Sequence, residues 1–213
     1  MKLLEIKTLA IPEIKIIRFA RFLDHRGYFA EHFRENDFKN HPELPFLHDV
    51  KFLQCNESYS KKGVLRGLHF QWNPYTGKLV RPTQGTLIDM ALDIRKNSQT
   101  FGKIIAYEMP TDLTRDHDEW IWLPPGFAHG VIFPEDSKIE YFCSGEYNPA
   151  CEACISPLSN DLDWSLCDPK LKTTFDEIAS QSLIISDKDK AGLTITDWKN
   201  DERSKNFIFR KTL

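Results

Sequence analysis

No stretch of this 213-residue chain approaches the roughly 18 consecutive apolar residues that a membrane-crossing helix needs. The opening run Met1-Lys2-Leu3-Leu4-Glu5-Ile6-Lys7 meets charge too early for the apolar centre of an export signal. A soluble, cytoplasmic protein is therefore expected. An excess of one charge is missing too. The 28 basic and 31 acidic residues leave a net charge of −3, which gives no overall field for nucleic acid, so any bound anion needs a local basic pocket. Cysteines number five, odd and late in the chain, which argues for reduced thiols over a disulfide framework. Repeats, low-complexity tracts and Gly/Ser linkers are absent, so the motifs below are expected to share one core.

What is present is a rhythm of short strands. From Thr86 to Ile94, Ile88, Met90, Leu92 and Ile94 alternate with Leu87, Asp89, Ala91 and Asp93, so one face of that strand carries two carboxylates. Comparable runs lie at 15–22, 52–57, 103–109, 120–123, 130–133 and 138–143, with turn residues between them. That spacing predicts an antiparallel sandwich or barrel. Helical patterns are few and look peripheral: Ala30 to Asn40, and Thr174 to Ser180 with Asp176 and Glu177 in its first turn.

Residues costly to bury gather at 54–69, 78–95 and 124–147. In Gly63-Val64-Leu65-Arg66-Gly67-Leu68-His69-Phe70-Gln71, strict alternation puts Leu65, Gly67, His69 and Gln71 on one face and Arg66, Leu68 and Phe70 on the other. A histidine on a barrel's inner face is often only hydrogen-bonded to backbone. Here a second one follows in Pro124-Pro125-Gly126-Phe127-Ala128-His129, and the pair resembles the two cupin signatures. Metal cupins place HxH and a following glutamate, whereas this chain reads His69-Phe70-Gln71, so the motifs supply no three- or four-ligand metal site. Cys151 and Cys154 form a lone CxxC. With Cys143 and Cys167 they could in principle make a four-thiolate zinc site, and packing is the plainer reading.

Further segments occur in order: Phe22-Leu23-Asp24-His25-Arg26-Gly27-Tyr28-Phe29-Ala30-Glu31, Gln54-Cys55-Asn56, Lys78-Leu79-Val80-Arg81, Thr100-Phe101-Gly102-Lys103 and Pro125 to Gly130. With 63–71 they resemble the dTDP-4-dehydrorhamnose 3,5-epimerase family over roughly residues 10 to 190. The resemblance implies an all-β fold, a cupin-type double-stranded β-helix (jelly-roll barrel) with a few short peripheral helices. It gives one epimerase domain over 1–190 and a polar C-terminal extension over 191–213. It implies inversion at C3, C5 or both of a nucleotide 4-keto-6-deoxy sugar, with no cofactor and no metal.

By the same resemblance His69 is the base, since a neutral imidazole can accept a proton near neutrality. Asp189 is the matching carboxylate that orients it, with Asp187 two residues away as the alternative. Tyr141 matches the proton donor, on a strand face shared with Ile139 and Cys143. Lys78, awkward before Leu79-Val80 without an anion to meet, is assigned to the enolate oxygen. Arg26 and Arg66 match positions serving the pyrophosphate, as forked guanidinium groups can. Gln54, Asn56 and Glu31 are read as base or sugar contacts, Phe29 or Tyr147 as the nucleobase stack, His129 as pocket lining and Asp89 as support. Residues Arg26 to Glu31 can reach a neighbouring subunit's site in the family, which implies a homodimer.

The family's glutamate followed by glycines reads here as Glu152-Ala153-Cys154, and Trp72-Asn73-Pro74-Tyr75 is bulkier than usual. These departures leave open dTDP, GDP or CDP, and hexose or heptose. A single-carbon epimerase, a non-catalytic sugar-binding cupin and a metal-dependent cupin are the competing readings.

Overall fold

The computed structural model describes residues 1–209. Fourteen strands and four α-helices run in the order β1 (Leu3–Thr8), β2 (Lys15–Ala20), β3 (Phe22–Asp24), β4 (Gly27–Phe29), α1 (Glu35–Asn40), β5 (Gln54–Ser60), β6 (Val64–Gln71), β7 (Lys78–Gln84) and β8 (Thr86–Asp93). The chain continues through β9 (Ile104–Pro110), β10 (His117–Leu123), β11 (Phe127–Ile132), β12 (Ser137–Cys143), β13 (Glu152–Cys154), α2 (Pro169–Gln181), β14 (Ile184–Ile185), α3 (Asp187–Lys190) and α4 (Ile195–Asn200).

Two sheets carry the domain, ordered β1-β2-β10-β7-β12-β5 and β13-β6-β11-β8-β9, while β3 and β4 pair only with each other. This is the expected jelly roll. Between the sheets, Val80, Leu87, Ala91, Ile121, Val131 and Ile139 form an apolar interior. Each sheet is also covered outside. Phe38 of α1 and Leu44 and Leu47 pack over Ile17, Phe19, Leu79, Trp120 and Trp122 of the first sheet. Phe175, Ile178, Ile195, Trp198 and Phe207 pack over Leu68, Phe70, Ile88, Met90 and Leu92 of the second. That double covering is why β8 carries apolar residues on both faces: Ile88, Met90 and Leu92 meet the C-terminal helices, while Leu87 and Ala91 meet the interior on the face that also bears Asp89 and Asp93.

Residues 191–209, expected as a polar extension, are built into the domain. Leu193 exchanges backbone hydrogen bonds with Cys154 and Ser156. Trp198 is fully buried, its Nε1 donates to the Ile94 carbonyl at 3.0 Å, and its ring lies 4.6 Å from that of Phe70. The remaining residues of that extension, 210–213, lie outside the described residues. The helix anticipated at 30–40 spans only Glu35–Asn40, because Arg34 at its N-cap is extended and offers no side-chain cap. The helix anticipated at 174–180 begins earlier, at Pro169, where proline suits the first helical position and the Asp168 carboxylate accepts from Lys170 N. Asp176 and Glu177 therefore sit mid-helix, not in the first turn. No helix among the described residues is long and apolar enough to cross a membrane.

Candidate active site

Strict alternation along β6 fails at one residue, and the failure shapes the site. His69 pairs with His129 on β11, but Arg66 pairs with Val131, so three steps on β6 answer two on β11. The extra residue is a β-bulge. It moves Leu65 to the outer core with Leu68 and Phe70, and turns Arg66 toward the side of His69, the reverse of the expectation for both. Gly67 sits at the bulge with φ +112°, and a Cβ there would lie 2.5 Å from Gly130 Cα and 2.6 Å from the His129 carbonyl, so only glycine fits.

The bulge also leaves the Gly67 N–H without a ladder partner, and it donates to Asp189 Oδ2 at 3.1 Å. The second carboxylate oxygen, Oδ1, lies 2.7 Å from His69 Nε2. Asp189 reaches this position because β14 runs parallel to β6 and leads into α3, whose Ser186 N-cap accepts from Asp189 N. Burial alone would raise the Asp189 pKa. The bonds from His69, Gly67 and Ser186 outweigh it and hold the carboxyl below its ordinary value. An ionised Asp189 fixes the tautomer of His69: Nε2 carries the proton toward the carboxylate, and Nδ1 is left as the acceptor.

A second imidazole–carboxylate pair lies beside the first. His129 Nε2 is 2.8 Å from Asp89 Oδ2, and His129 Nδ1 is 3.4 Å from Lys78 Nζ. Burial lowers the pKa of His129 and raises that of Asp89, against the opposing pull of each on the other. Neutral His129 thus accepts from Lys78 at Nδ1 and donates to Asp89 from Nε2, linking the two side chains through its ring. Asp89 Oδ1 is buried with no partner, which leaves the pair less than fully satisfied. Burial lowers the Lys78 pKa as well, with Cys143, Glu152 and Asp89 opposing.

The opposite wall comes from the first sheet. Lys78 faces Cys143 and Val80 faces Tyr141 across β7 and β12, while Gln54 and Asn56 continue the two rows on β5. Tyr141 is half-buried, and burial raises its pKa, so the phenol keeps its proton. Both walls enclose a cavity of about 400 Å³ lined by His69, Lys78, His129, Tyr141, Gln54, Asn56, Tyr147 and Glu152. It falls in the size range of small-ligand sites. Tyr147 N donates to Gln54 Oε1 at 2.8 Å, and Tyr147 OH donates to Glu152 at 3.3 Å. A neighbouring groove of about 560 Å³ shares His69, Tyr147 and Glu152 with the cavity and adds Arg66, Lys188 and Asp189.

Three expected substrate-contacting residues line neither the cavity nor the groove. Arg26 and Phe29 stand on the exposed β3–β4 hairpin, with Arg26 paired to Asp24 at 2.6 Å and Phe29 68% exposed. Glu31 pairs with the Met1 amine at 2.7 Å and with Arg34. The hairpin has no stacking partner in the larger sheets to carry it to the site. Gln71, not among the expected site residues, lines the cavity. Its Nε2 donates to the Pro74 and Glu146 carbonyls and to Thr76, and its Oε1 accepts from Asn148 N, so it ties two loops together at the cavity rim. Its place on the face of His69 was the available signal. Among the described residues, Cys143, Cys151, Cys154 and Cys167 do not assemble into a thiolate site, and all five cysteines are free.

The jelly roll thus closes an imidazole–carboxylate pair, a phenol and a lysine around one cavity, a set of groups equipped for acid–base chemistry. The profile of the dTDP-4-dehydrorhamnose 3,5-epimerase family matches residues 8–197, and the chain belongs to that family of isomerases. It is 36% identical over 190 residues to the dTDP-4-dehydrorhamnose 3,5-epimerase of Pseudomonas aeruginosa, covering 89% of this chain and 94% of that one. To the enzyme of the same name from Neisseria gonorrhoeae it is 35% identical over 206 residues, 94% of this chain and 55% of that longer one. A Legionella pneumophila dTDP-6-deoxy-D-glucose-3,5-epimerase, crystallised with dTDP-4-keto-L-rhamnose, superposes with a TM-score of 0.78 at 31% identity, covering 98% of this chain and 99% of that one.

Proposed function

We propose that this chain inverts C3 and C5 of dTDP-4-dehydro-6-deoxy-D-glucose, giving dTDP-4-dehydro-L-rhamnose. The observation that carries the reading is the placement of base and acid: His69 on one sheet and Tyr141 on the other, across a single cavity with Lys78 beside it.

The 4-keto group acidifies the neighbouring C–H bonds. His69 Nδ1 takes the proton from one face, and the imidazolium that forms is balanced by Asp189 through Nε2–H. The electron pair moves onto the C4 oxygen as an enolate, which the Lys78 ammonium stabilises. Tyr141 returns a proton to the carbon from the opposite face. Solvent then resets both groups, and no oxidant or reductant enters the balance. His129 and Asp89 act as positioning residues that hold Lys78.

The nucleotide lies along the shared groove in this reading. Arg66 takes the pyrophosphate, Gln54, Asn56 and Glu152 contact the sugar or base, and Tyr147 stacks on the base. The exposed hairpin bearing Phe22, Leu23, Tyr28 and Phe29 covers a second copy of the chain in a homodimer. Arg26, Phe29 and Glu31 then serve the partner's cavity. Five free thiols fit a reducing cytoplasm.

The test is to supply dTDP-, GDP- and CDP-linked 4-keto-6-deoxyglucose separately and follow solvent deuterium into the sugar by NMR. Turnover confined to the dTDP sugar supports the proposal. Preference for another nucleotide, or exchange at one carbon only, refutes the substrate or the double inversion respectively.

A further inference from the structure

The catalytic carboxylate and imidazole have a third neighbour that the reaction does not use. Strand β13 adds to the free edge of β6, and its register sets Cys154 directly opposite His69. Farther along β6, at Val64 and Leu65, β14 pairs in parallel and leads into α3, which brings in Asp189. Ligand-type atoms of His69, Cys154 and Asp189 all lie within 4.8 Å of one another, although their residues are far apart in the chain. Cys154 is buried, and its Sγ lies 3.3 Å from the carbonyl of the next residue, Ile155, a weak contact.

We propose that His69, Cys154 and Asp189 form an inhibitory site for a soft divalent cation such as zinc(II) or cadmium(II), with the fourth position open to the substrate cavity. The donor set matches the chemistry of those ions: one imidazole nitrogen, one thiolate and one carboxylate, a combination that disfavours magnesium and calcium. Charge matches too, since a thiolate and a carboxylate together neutralise a divalent cation in a half-buried setting. His69 lines both the cavity and the groove, which gives the ion a route in.

The geometry requires a small opening. His69 Nε2 and Asp189 Oδ1 stand 2.7 Å apart, sharing a proton. Two ligands on one tetrahedral zinc with bonds of about 2.0–2.1 Å are separated by roughly 3.3 Å, so the pair parts by about 0.6 Å as the ion replaces the proton. The ring proton moves from Nε2 to Nδ1, and the thiol proton is released to solvent. With Nδ1 protonated, His69 can no longer accept a proton from the sugar, and catalysis stops. Burial, with Asp189 adding to it, pushes the Cys154 thiol up to about 12. Metal binding therefore has to displace the thiol proton.

The inhibition rests on His69 being the base, whereas the binding does not, and the experiment separates them. Metal-stripped wild type, Cys154→Ala, Cys154→Ser and Cys151→Ala are titrated with cobalt(II) and cadmium(II), following thiolate-to-metal charge-transfer absorption. Zinc inhibition of deuterium exchange is measured in parallel. One ion per chain with a thiolate band is expected in wild type and Cys151→Ala, and no band in either Cys154 variant. Zinc should inhibit wild type reversibly, with chelator restoring activity. Loss of a direct ligand should weaken inhibition at least ~100-fold in the Cys154 variants, beyond the 10–100-fold typical of losing an outer partner. Their exchange without metal should stay at the wild-type rate. Absence of the band in wild type, or zinc sensitivity in Cys154→Ala and Cys154→Ser equal to that of wild type, overturns the site. A band with undiminished exchange under saturating zinc upholds the site and overturns His69 as the base.

Discussion

Replacing Asp189 by asparagine changes one oxygen to an NH2 group and keeps the size of the side chain. The two bonds Asp189 makes require acceptors on both sides: Gly67 N–H at 3.1 Å and His69 Nε2 at 2.7 Å. Asparagine offers one acceptor. If its oxygen stays on Gly67 N–H, its amide donates to His69 Nε2, which must give up its proton to Nδ1. The lone pair needed to take the sugar proton is then gone. If the oxygen turns to His69, two N–H groups face each other at Gly67, with a penalty of about 1–3 kcal/mol for the unsatisfied donor. The first arrangement therefore wins, and it inactivates the base. The equivalent change in Ser-His-Asp hydrolases costs about 10⁴ in kcat through the same loss of tautomer. A loss of roughly 10²–10⁴ is expected here, corresponding to about 3–5 kcal/mol of barrier at 1.36 kcal/mol per decade. Because the Asp189 carboxyl is held below its ordinary value, its support is present above the ordinary carboxylate range and is lost only as pH falls through the lowered value. Mild acid should therefore leave this carboxylate ionised. The assay is deuterium incorporation at C3 and C5 by NMR, with nucleotide-sugar binding measured alongside. Wild-type exchange in Asp189→Asn, within about threefold, would refute the orienting role.

Other consequences follow from the same geometry. Tyr141→Phe removes the acid on one face and leaves the base on the other. Deuterium should still wash in through His69 while inversion falls ~10²–10⁴-fold; undiminished inversion would assign the donor elsewhere. Burial lowers the Lys78 pKa, so the required cation is lost as pH rises at a point below the ordinary lysine value of about 10.4. Lys78→Arg, which does not titrate in this range, should be slower at neutrality but shift the alkaline limb of kcat upward; an unmoved limb would detach it from Lys78. Trp198→Ala empties a fully buried site. A cost of about 3–5 kcal/mol is expected, or a melting-temperature drop of about 6–20 °C for a domain of this size. A drop under about 3 °C by calorimetry would mean that the C-terminal stretch is not part of the core.

The barrel was legible because period-two alternation survives wherever strands are regular. The runs expected at 86–94 and 138–143 fall on β8 and β12, and alternation along them places Asp89 opposite the outer core and Tyr141 on the wall that Cys143 shares. Alternation misled at β6, where one inserted residue exchanges the faces of Leu65 and Arg66, and Gly67 alone marks the bulge in the sequence. The C-terminal stretch misled for a different reason. Its average is polar, but Leu193, Ile195, Trp198 and Phe207 each enter or line the outer core, at spacings that follow turns and short helices and no single period. Cys154 was read through its sequence neighbour Cys151, whereas strand pairing sets it against His69. Such proximity between distant segments is a property of the fold's register and is not written in local spacing.

The central claim is that His69 abstracts the protons beside the keto group. In heavy water with the dTDP-linked 4-keto-6-deoxyglucose, wild type should place deuterium at both C3 and C5, and His69→Asn should place it at neither while still binding the nucleotide sugar. Exchange by His69→Asn at the wild-type rate would contradict the account.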